Sequence, residues 1–256
     1  MADQFGSIQR IMARQKTSAQ AGEFGAFSHR GGLGPLRRAL YSILTAAQGI
    51  WIKCNERALR IRTLPSDKSS LSAAVWDSKA STAAMRPSAR HADSDEYLAP
   101  NYWYVYKMAR ILNPDAGDVF YDIGSGMGRI LCVMALTKVG KCVGIELSEE
   151  LCRISRWNAS RVRGRKAPIE IACLDAAVAN VSEGTIYYLY NPFGALTLRD
   201  VLENVRKSLI EFPRGIKIVY YNSVHESVFE SCDWLEKFDS FNTLTRRRVT
   251  FWRNRS

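Results

Sequence analysis

The stretch Asp118–Leu131 constrains the fold most, because an apolar run in it breaks at three alternating glycines and then resumes. The first run, Asp118–Ile123, is β-branched and aromatic, which is typical of a buried parallel strand. The second run, Arg129–Leu136, predicts a helix packed on a sheet. The glycines between them are Gly124, Gly126 and Gly128. A strand, a glycine turn and a helix N-terminus together allow backbone to approach a nucleotide-like ligand closely.

Length and charge set the outer bounds. A chain of 256 residues has room for one α/β domain and an extension. Its formal net charge of +11 favours an anionic partner, although a basic disordered tail would give the same number. Six cysteines without a CxxC or Cys/His cluster predict free thiols and no metal site. Together with an N-terminus unlike a secretory signal, this predicts a cytoplasmic protein, with the nucleus left open.

The region before the glycine stretch divides into two segments. We expect residues 1–35 to be disordered, because they are polar and lack sustained periodicity. Residues 36–95 combine a basic amphipathic helix (36–62) with a linker or lid (63–95) rich in Ser, Ala, Pro and Asp. We expect that helix to dock on its own domain rather than lie on a membrane surface. The catalytic domain would then span residues 96–256.

From residue 118 onward, predicted strands and helices alternate. The expected strands are 118–123, 141–147, 169–175, 185–190 and 215–221, and the expected helices between them are 129–138, 148–163 and 196–211. This alternation predicts a mostly parallel, Rossmann-like α/β sheet with helices on both faces. Before it, residues 101–112 have helical spacing. After it, residues 224–232 predict a short helix, and 234–241 with 244–252 predict an antiparallel hairpin.

The glycine spacing excludes two common nucleotide sites. The dinucleotide fingerprint G-x-G-x-x-G requires a third glycine where this chain has Arg129. No G-x-x-x-x-G-K-[ST] sequence is present, which rules out a P-loop. The ligand is therefore expected to be neither a nicotinamide dinucleotide nor a nucleoside triphosphate held by a P-loop.

Acid-x-Gly-x-Gly-x-Gly, here Asp122–Gly128, instead resembles the first motif of class I S-adenosylmethionine-dependent methyltransferases. The chain is most similar to a largely uncharacterised group with the motifs Asp-x-Gly-Ser-Gly-x-Gly-Arg, Gly-x-Glu-Leu-Ser and Tyr-Leu-Tyr-Asn-Pro-Phe. These motifs lie at 122–129, 144–148 and 188–193. More distantly, it resembles the Dot1-like lysine methyltransferases. The resemblance implies S-adenosyl-L-methionine as cofactor and methyl transfer as the reaction.

The residues implied in cofactor binding lie in or just after four successive strands, where ligands bind in open α/β sheets. They are Asp122, Gly124, Ser125, Gly126, Gly128, Glu146, Leu147, Asp175, Ala176 and Asn191. Glu146 suits the ribose hydroxyls and Asp175 the adenine amino group. Asp122 or Asp175 could alternatively cap a following helix. The expected catalytic residues are Asn191, Pro192 and Phe193, where amide and backbone carbonyls orient an acceptor N–H and the ring forms a wall.

Three hypotheses for the acceptor remain open. The leading one is a nitrogen on a protein side chain such as lysine. Nucleic acid is the alternative, motivated by two basic clusters, although the Pro-Pro of nucleic-acid amino methyltransferases is missing. The clusters are Arg161, Arg163, Arg165 and Lys166, and Arg246–Arg248. A third hypothesis is a binding module that keeps the fold without catalysis.

Overall fold

The computed structural model describes residues 47, 49–63, 99–190 and 194–255, all within residues 46–256, one of the two compact units of the chain. The predicted disordered segment 1–35, the first part of the amphipathic helix, and residues 64–95 of the predicted linker or lid lie outside the described residues. So do the three expected catalytic residues, 191–193.

Helices and strands alternate as the sequence predicts. Seven strands are described: β1 (Val119–Ile123), β2 (Lys141–Glu146), β3 (Ile169–Cys173), β4 (Ile186–Leu189), β5 (Lys217–Tyr221), β6 (Leu235–Asn242) and β7 (Arg248–Asn254). The helices are α1 (49–59), α2 (Tyr102–Leu112), α3 (Arg129–Met134), α4 (Glu149–Arg161), α5 (Ala195–Glu211) and α6 (Glu226–Glu230).

All seven strands form one sheet in the order β3-β2-β1-β4-β5-β7-β6. The first five are parallel, whereas β7 runs antiparallel between β5 and β6. The predicted fold class, a Rossmann-like parallel sheet with a C-terminal antiparallel hairpin, is therefore confirmed. The carboxyl ends of β1 to β5 meet at one edge, and the hairpin turn between β6 and β7 lies at that same edge because Val249 pairs with Tyr221.

Two apolar cores cover the two faces of the sheet. One contains buried side chains of α1, α2 and α3, among them Leu59, Met108 and Leu131. The other contains those of α5 and α6, among them Leu202 and Phe229. This arrangement explains why β1, β4 and β5 are almost continuously apolar: strands covered on both faces require apolar side chains on both.

Helix α3 is shorter than expected, ending at Met134 instead of residue 138. In the following turn the hydrogen bonds span three residues instead of four: Leu136 N–H donates to the Val133 carbonyl, and Thr137 N–H donates to the Met134 carbonyl. The carbonyl of Ala135 accepts N–H bonds from Lys166 and Ala167. It therefore bonds to the segment that leads into β3 rather than to a further helical turn, a long-range contact that periodicity cannot predict.

Helix α1 docks on the domain through a different face from the one that its apolar spacing indicates. Leu59 is buried and Ile52 packs against the same core. Ile50, Trp51 and Cys54, which the periodicity assigned to one apolar stripe, are exposed. The described part of the helix makes its inward contacts mainly near its C-terminal end, where it enters the loop at residues 60–63.

Candidate cofactor site

The glycine loop is anchored to the neighbouring strand. Backbone N–H groups of Gly124 and Ser125 both donate to the Ile145 carbonyl, at 2.9 and 3.0 Å. Gly124, Gly126 and Gly128 have φ values of 81°, 53° and 79°, a left-handed conformation that side chains disfavour. The alternation of glycines thus follows from a backbone that turns sharply three times between β1 and α3.

Glu146, the last residue of β2, joins this loop to the start of α4. Its Oε2 accepts from Gly126 N–H at 2.8 Å and its Oε1 from Ser148 N–H at 2.9 Å. Burial raises the pKa of the carboxyl, and the N–H bonds from Ser148 and Gly126 oppose that shift. A carboxylate accepts about four hydrogen bonds, so two positions remain for the hydroxyls of a ligand.

Asp122 supplies a second carboxyl beneath the loop. The residue is buried, and its Oδ2 has no hydrogen-bond partner in the part of the chain that the structure describes. Burial raises the pKa of this carboxyl well above its usual range, and the nearby charge of Glu146 raises it further. A buried carboxyl without a partner beside a glycine loop fits a cationic ligand group, such as the ammonium of an amino-acid moiety.

At the end of β3, Asp175 occupies a partly exposed position and folds a local turn. Its Oδ1 accepts from Ala177 N–H at 2.9 Å, but residues 176–178 form a turn and not a helix. The expected helix cap is therefore not formed, and the turn occupies one carboxyl oxygen. Ala176 beside it is buried. Two large apolar side chains of this edge, Leu147 and Leu174, are 39% and 38% exposed, which offers an apolar surface to a planar ring.

The underside of the loop leaves no room for larger side chains. A Cβ added at Gly128 would overlap Ser155 Oγ, and one added at Gly144 would lie 2.5 Å from Leu131 Cδ1. Asn158, fully buried on α4, donates to the Met127 carbonyl at 2.9 Å and thereby holds the loop from below. Asn158 was not among the predicted site residues. The available signal was a polar residue at the helical spacing of the inward-facing positions of α4.

Arg129 fastens the loop to two distant segments. The residue is 1% exposed, and its Nε donates to Thr63 Oγ1 at 2.6 Å. Its Nη1 donates to the Pro100 carbonyl at 2.7 Å and its Nη2 lies 3.4 Å from Glu56 Oε1. The guanidinium carbon is also 4.8 Å from the ring centroid of Tyr102. From the sequence, Arg129 excluded a dinucleotide site and completed the motif at 122–129, but these buried contacts were not predicted.

Two aromatic residues stand at the carboxyl ends of the next strands. Tyr190 follows β4 and Tyr221 ends β5, with ring centroids 4.5 Å apart. Arg247, from the turn between β6 and β7, donates to the Tyr190 hydroxyl. Burial raises the pKa of Tyr190, and Arg247 opposes the shift. The structure therefore places Asp122, the glycines, Glu146, Leu147 and Asp175 along one edge, while Asn191, Pro192 and Phe193 lie outside the described residues.

Part of the chain is similar to known proteins. The family model described as "Histone methylation protein DOT1" matches residues 96–167, from just before α2 to the loop preceding β3. Among curated protein sequences, none matches the chain.

Many solved structures are similar in fold. An RNA methyltransferase from Salinibacter ruber, in complex with S-adenosyl-L-homocysteine, has 28% identity and a TM-score of 0.47, covering 62% of this chain and 94% of its own. An S-adenosylmethionine-dependent methyltransferase from Aquifex aeolicus has 9% identity and a TM-score of 0.48, covering 59% and 89%. Magnesium protoporphyrin IX methyltransferase from Synechocystis PCC 6803, with bound S-adenosylmethionine, has 12% identity and a TM-score of 0.47, covering 60% and 77%.

The class is defined by the strand order, the glycine loop and the acidic residues Asp122 and Glu146 near the ends of β1 and β2, together with the DOT1 match over residues 96–167. The chain is a class I S-adenosylmethionine-dependent methyltransferase, distantly similar to the DOT1 proteins, and S-adenosylmethionine is its cofactor. Within the described ranges, no cluster of His, Cys, Asp and Glu could hold a metal ion. None of the helices that the structure describes is long and apolar enough to cross a bilayer.

Proposed function

We propose that this protein transfers the methyl group of S-adenosylmethionine to a nitrogen of a protein side chain, most simply lysine. The observation that best supports the cofactor is a pair of hydrogen bonds: Glu146 accepts from the N–H groups of Gly126 and Ser148, which fixes a carboxylate at the mouth of the glycine loop. The acceptor part rests on the match to the histone methylation protein DOT1 and on the aromatic residues at the ends of β4 and β5.

The cofactor would lie across the edge that the four strands form. Glu146 would accept the ribose hydroxyls and Asp122 would face the cationic amino-acid end. Leu147 and Ala176 would contact the adenine, and the free oxygen of Asp175 would accept from its amino group. The glycine loop (Gly124, Ser125, Gly126 and Gly128) would pass beneath the cofactor with backbone alone at its tightest points.

When bound, S-adenosylmethionine supplies a methyl group on a positively charged sulfur, so the protein mainly has to position the acceptor. An amine that reaches the site deprotonated needs no general base. The side-chain carbonyl of Asn191 and the backbone carbonyl of Pro192 would orient its N–H groups, and Phe193 would line the channel. Tyr190, which immediately precedes these three residues in the sequence, and Tyr221, whose ring centroid lies 4.5 Å from that of Tyr190, add aromatic surface that suits the methylene chain and ammonium of lysine.

Cofactor binding is the first test. S-adenosylhomocysteine should raise the melting temperature of the wild-type protein, because a ligand stabilises only the state that binds it. Wild-type protein that shows no shift in melting temperature would refute the enzyme hypothesis. The hypothesis of a non-catalytic binding module would then remain.

The acceptor is tested by transfer of a labelled methyl group to a lysate, followed by separate protease and nuclease digestion. We expect protease to release the label from high-molecular-weight material and amino-acid analysis to recover methylated lysine. Label that survives protease and disappears with nuclease would instead establish the nucleic-acid alternative.

A further inference from the structure

A surface remote from the cofactor edge carries a dense group of arginines without acidic residues. The sequence contains no Asp or Glu at 57–63 or at 151–169. Both segments are largely exposed along their basic positions. We name this the α4 basic surface, and its members are Arg57, Arg60, Arg62, Trp157, Arg161, Arg163 and Arg165.

The two segments adjoin, so these charges form one surface. Arg62 and Arg161 both lie on the Trp157 ring, with guanidinium carbons 5.7 and 4.9 Å from its centroid. The backbone N–H of Arg62 donates to Asn158 Oδ1 at 2.7 Å, and that of Arg163 donates to the Leu59 carbonyl at 2.9 Å. The backbone of the loop at 60–63 is thereby fixed against the C-terminal half of α4.

The charges on this surface are not neutralised by ion pairs within the described residues. The nearest pair on α4 joins Arg153 to Glu150 at 2.6 Å, one turn or more before the surface begins. The opposite edge of the sheet differs. There, Lys237 and Arg248 both pair with Glu226, and Arg253 pairs with Glu236. Basic residues on β6 and β7 are thus balanced locally, whereas those beside α4 have no acidic partner among the residues that the structure describes and are suited to binding an anion.

We propose that the α4 basic surface binds the phosphate backbone of nucleic acid, with Trp157 in contact with a base or sugar. Guanidinium groups match phosphate oxygens in pairs, and six of them within two adjoining segments fit a repeating anion rather than a single one. Trp157 remains 39% exposed despite its two arginine neighbours, so it offers aromatic surface to the same ligand.

An anionic membrane fits the surface less well. Insertion into lipid needs a broad apolar face, and in the described part of the chain Trp157 is the only large apolar side chain that is exposed among these arginines. The exposed Ile50 and Trp51 belong to the other end of α1, about 10 Å along its axis from Arg57. Nucleic acid therefore accounts for both the charge and the single aromatic residue.

This surface is separate from the site of methyl transfer. Arg161 lies about 18 Å along the axis of α4 from Glu149, which is next to the cofactor edge. Binding there would hold nucleic acid, or an assembly containing it, beside the enzyme without occupying the acceptor site. The inference therefore holds whether the methyl group goes to protein or to nucleic acid.

The test measures the affinity of the full chain for a fluorescent RNA of about 20 nucleotides, by anisotropy over a range of salt concentrations. The test variant is Arg62→Gln/Arg161→Gln/Arg163→Gln, and its control is Lys237→Gln/Arg248→Gln/Arg253→Gln, which changes net charge equally at the opposite edge. We expect the test variant to bind at least about 30-fold more weakly near 0.1 M salt, with a salt slope lower by about 2. The control should lose less than about threefold.

A third variant, Trp157→Ala, should weaken RNA binding by about 5- to 100-fold with little change in the salt slope, because it removes stacking rather than charge. All variants should keep the wild-type thermal shift with S-adenosylhomocysteine, which shows that they are folded. Equal losses in the two triple variants would reduce the effect to net charge and overturn the proposal. So would wild-type protein that binds phosphatidylserine vesicles and not RNA.

Discussion

The guanidinium of Arg129 holds Thr63 by both its hydroxyl and its carbonyl, at 2.6 and 3.3 Å. Arg129 is the residue immediately after the glycine loop, and Thr63 lies 66 positions earlier in the chain. The same side chain donates to the Pro100 carbonyl. The loop that is proposed to carry the cofactor is therefore fixed to the ends of two segments that lie far before it in the sequence.

Replacing Arg129 should test this attachment. Arg129→Met removes the charge that faces Glu56 and leaves the Thr63 and Pro100 oxygens without their donor. Loss of one partner of a buried pair costs about 3–5 kcal/mol, so we expect the free energy of unfolding in urea to fall by that amount. Arg129→Lys should lower the free energy of unfolding by less, because the ammonium keeps the charge and can replace some of the guanidinium hydrogen bonds.

The matched control is Arg153→Met, which removes an exposed partner of Glu150 on α4. It should change the free energy of unfolding by no more than about 0.5 kcal/mol. Equal stability of Arg129→Met and wild type would show that the buried contacts of Arg129 do not hold the loop.

Arg129 also shows where inference from the sequence ends. The alternation of apolar runs gave the order and type of the strands from 118 to 221 to within about two residues, because all of these strands except the edge strand β3 are buried on both faces. The bonds of Arg129 to residues 63 and 100 could not be predicted, because no local pattern records a contact between segments so far apart. The same is true of Ala135, whose carbonyl ends α3 by bonding to the segment before β3.

The candidate site was predicted in part for a similar reason. Glu146 and Asp122 follow from strand ends and glycine spacing, which are local signals. Arg247 belongs to the same edge only because β7 inserts antiparallel beside β5. The sequence predicted a hairpin but gave no sign of where it joins the sheet, so Arg247 could not be assigned to the site.

The two carboxyls of the site should differ in their response to substitution. Glu146→Gln keeps the shape, but its amide has one acceptor oxygen, so its NH2 group meets the N–H of either Gly126 or Ser148 and that bond is lost. The substitution also removes the charge proposed to face the ribose. Hydrogen bonds to charged groups contribute about 1.5–3 kcal/mol, so affinity for S-adenosylhomocysteine should fall by roughly 10- to 100-fold in calorimetric titration. Glu150→Gln, a partly exposed neighbour on α4, is the control and should bind as wild type does. Unchanged affinity in Glu146→Gln would remove Glu146 from the site.

The charge of Asp122 should lower the stability of the free protein. Its pKa is raised in the folded protein, so its contribution to stability is present below the unfolded pKa, near 3.9, and is lost as pH rises through the raised value. Asp122→Asn removes a buried charge without a partner. We expect the free protein to become more stable at neutral pH, by about 1–3 kcal/mol, and the gain to vanish in acid. Urea unfolding at a series of pH values measures both. A variant that is less stable than wild type at neutral pH would contradict this account.

The affinity for S-adenosylhomocysteine should also depend on the protonation of Asp122. A cationic ligand group favours the charged form of Asp122, so affinity for S-adenosylhomocysteine should rise with pH through the raised pKa of this residue. Asp122→Asn should bind much more weakly and lose that rise. Affinity with the same pH dependence in variant and wild type would place the cationic end of the cofactor elsewhere.

Gly128 provides the sharpest test of the loop backbone. Its φ of 79° and the position of Ser155 Oγ beneath it both oppose a side chain. The left-handed conformation alone costs about 1–2 kcal/mol for a residue other than glycine, and the overlap with Ser155 adds to it. Gly128→Ala should therefore destabilise the protein by about 2–4 kcal/mol. Gly128→Ala/Ser155→Gly should recover the steric part and keep the conformational part, whereas Gly215→Ala, where a Cβ meets nothing within 4 Å, should be nearly neutral. Equal stability of the single and double variants would show that Ser155 does not clash with a side chain at position 128.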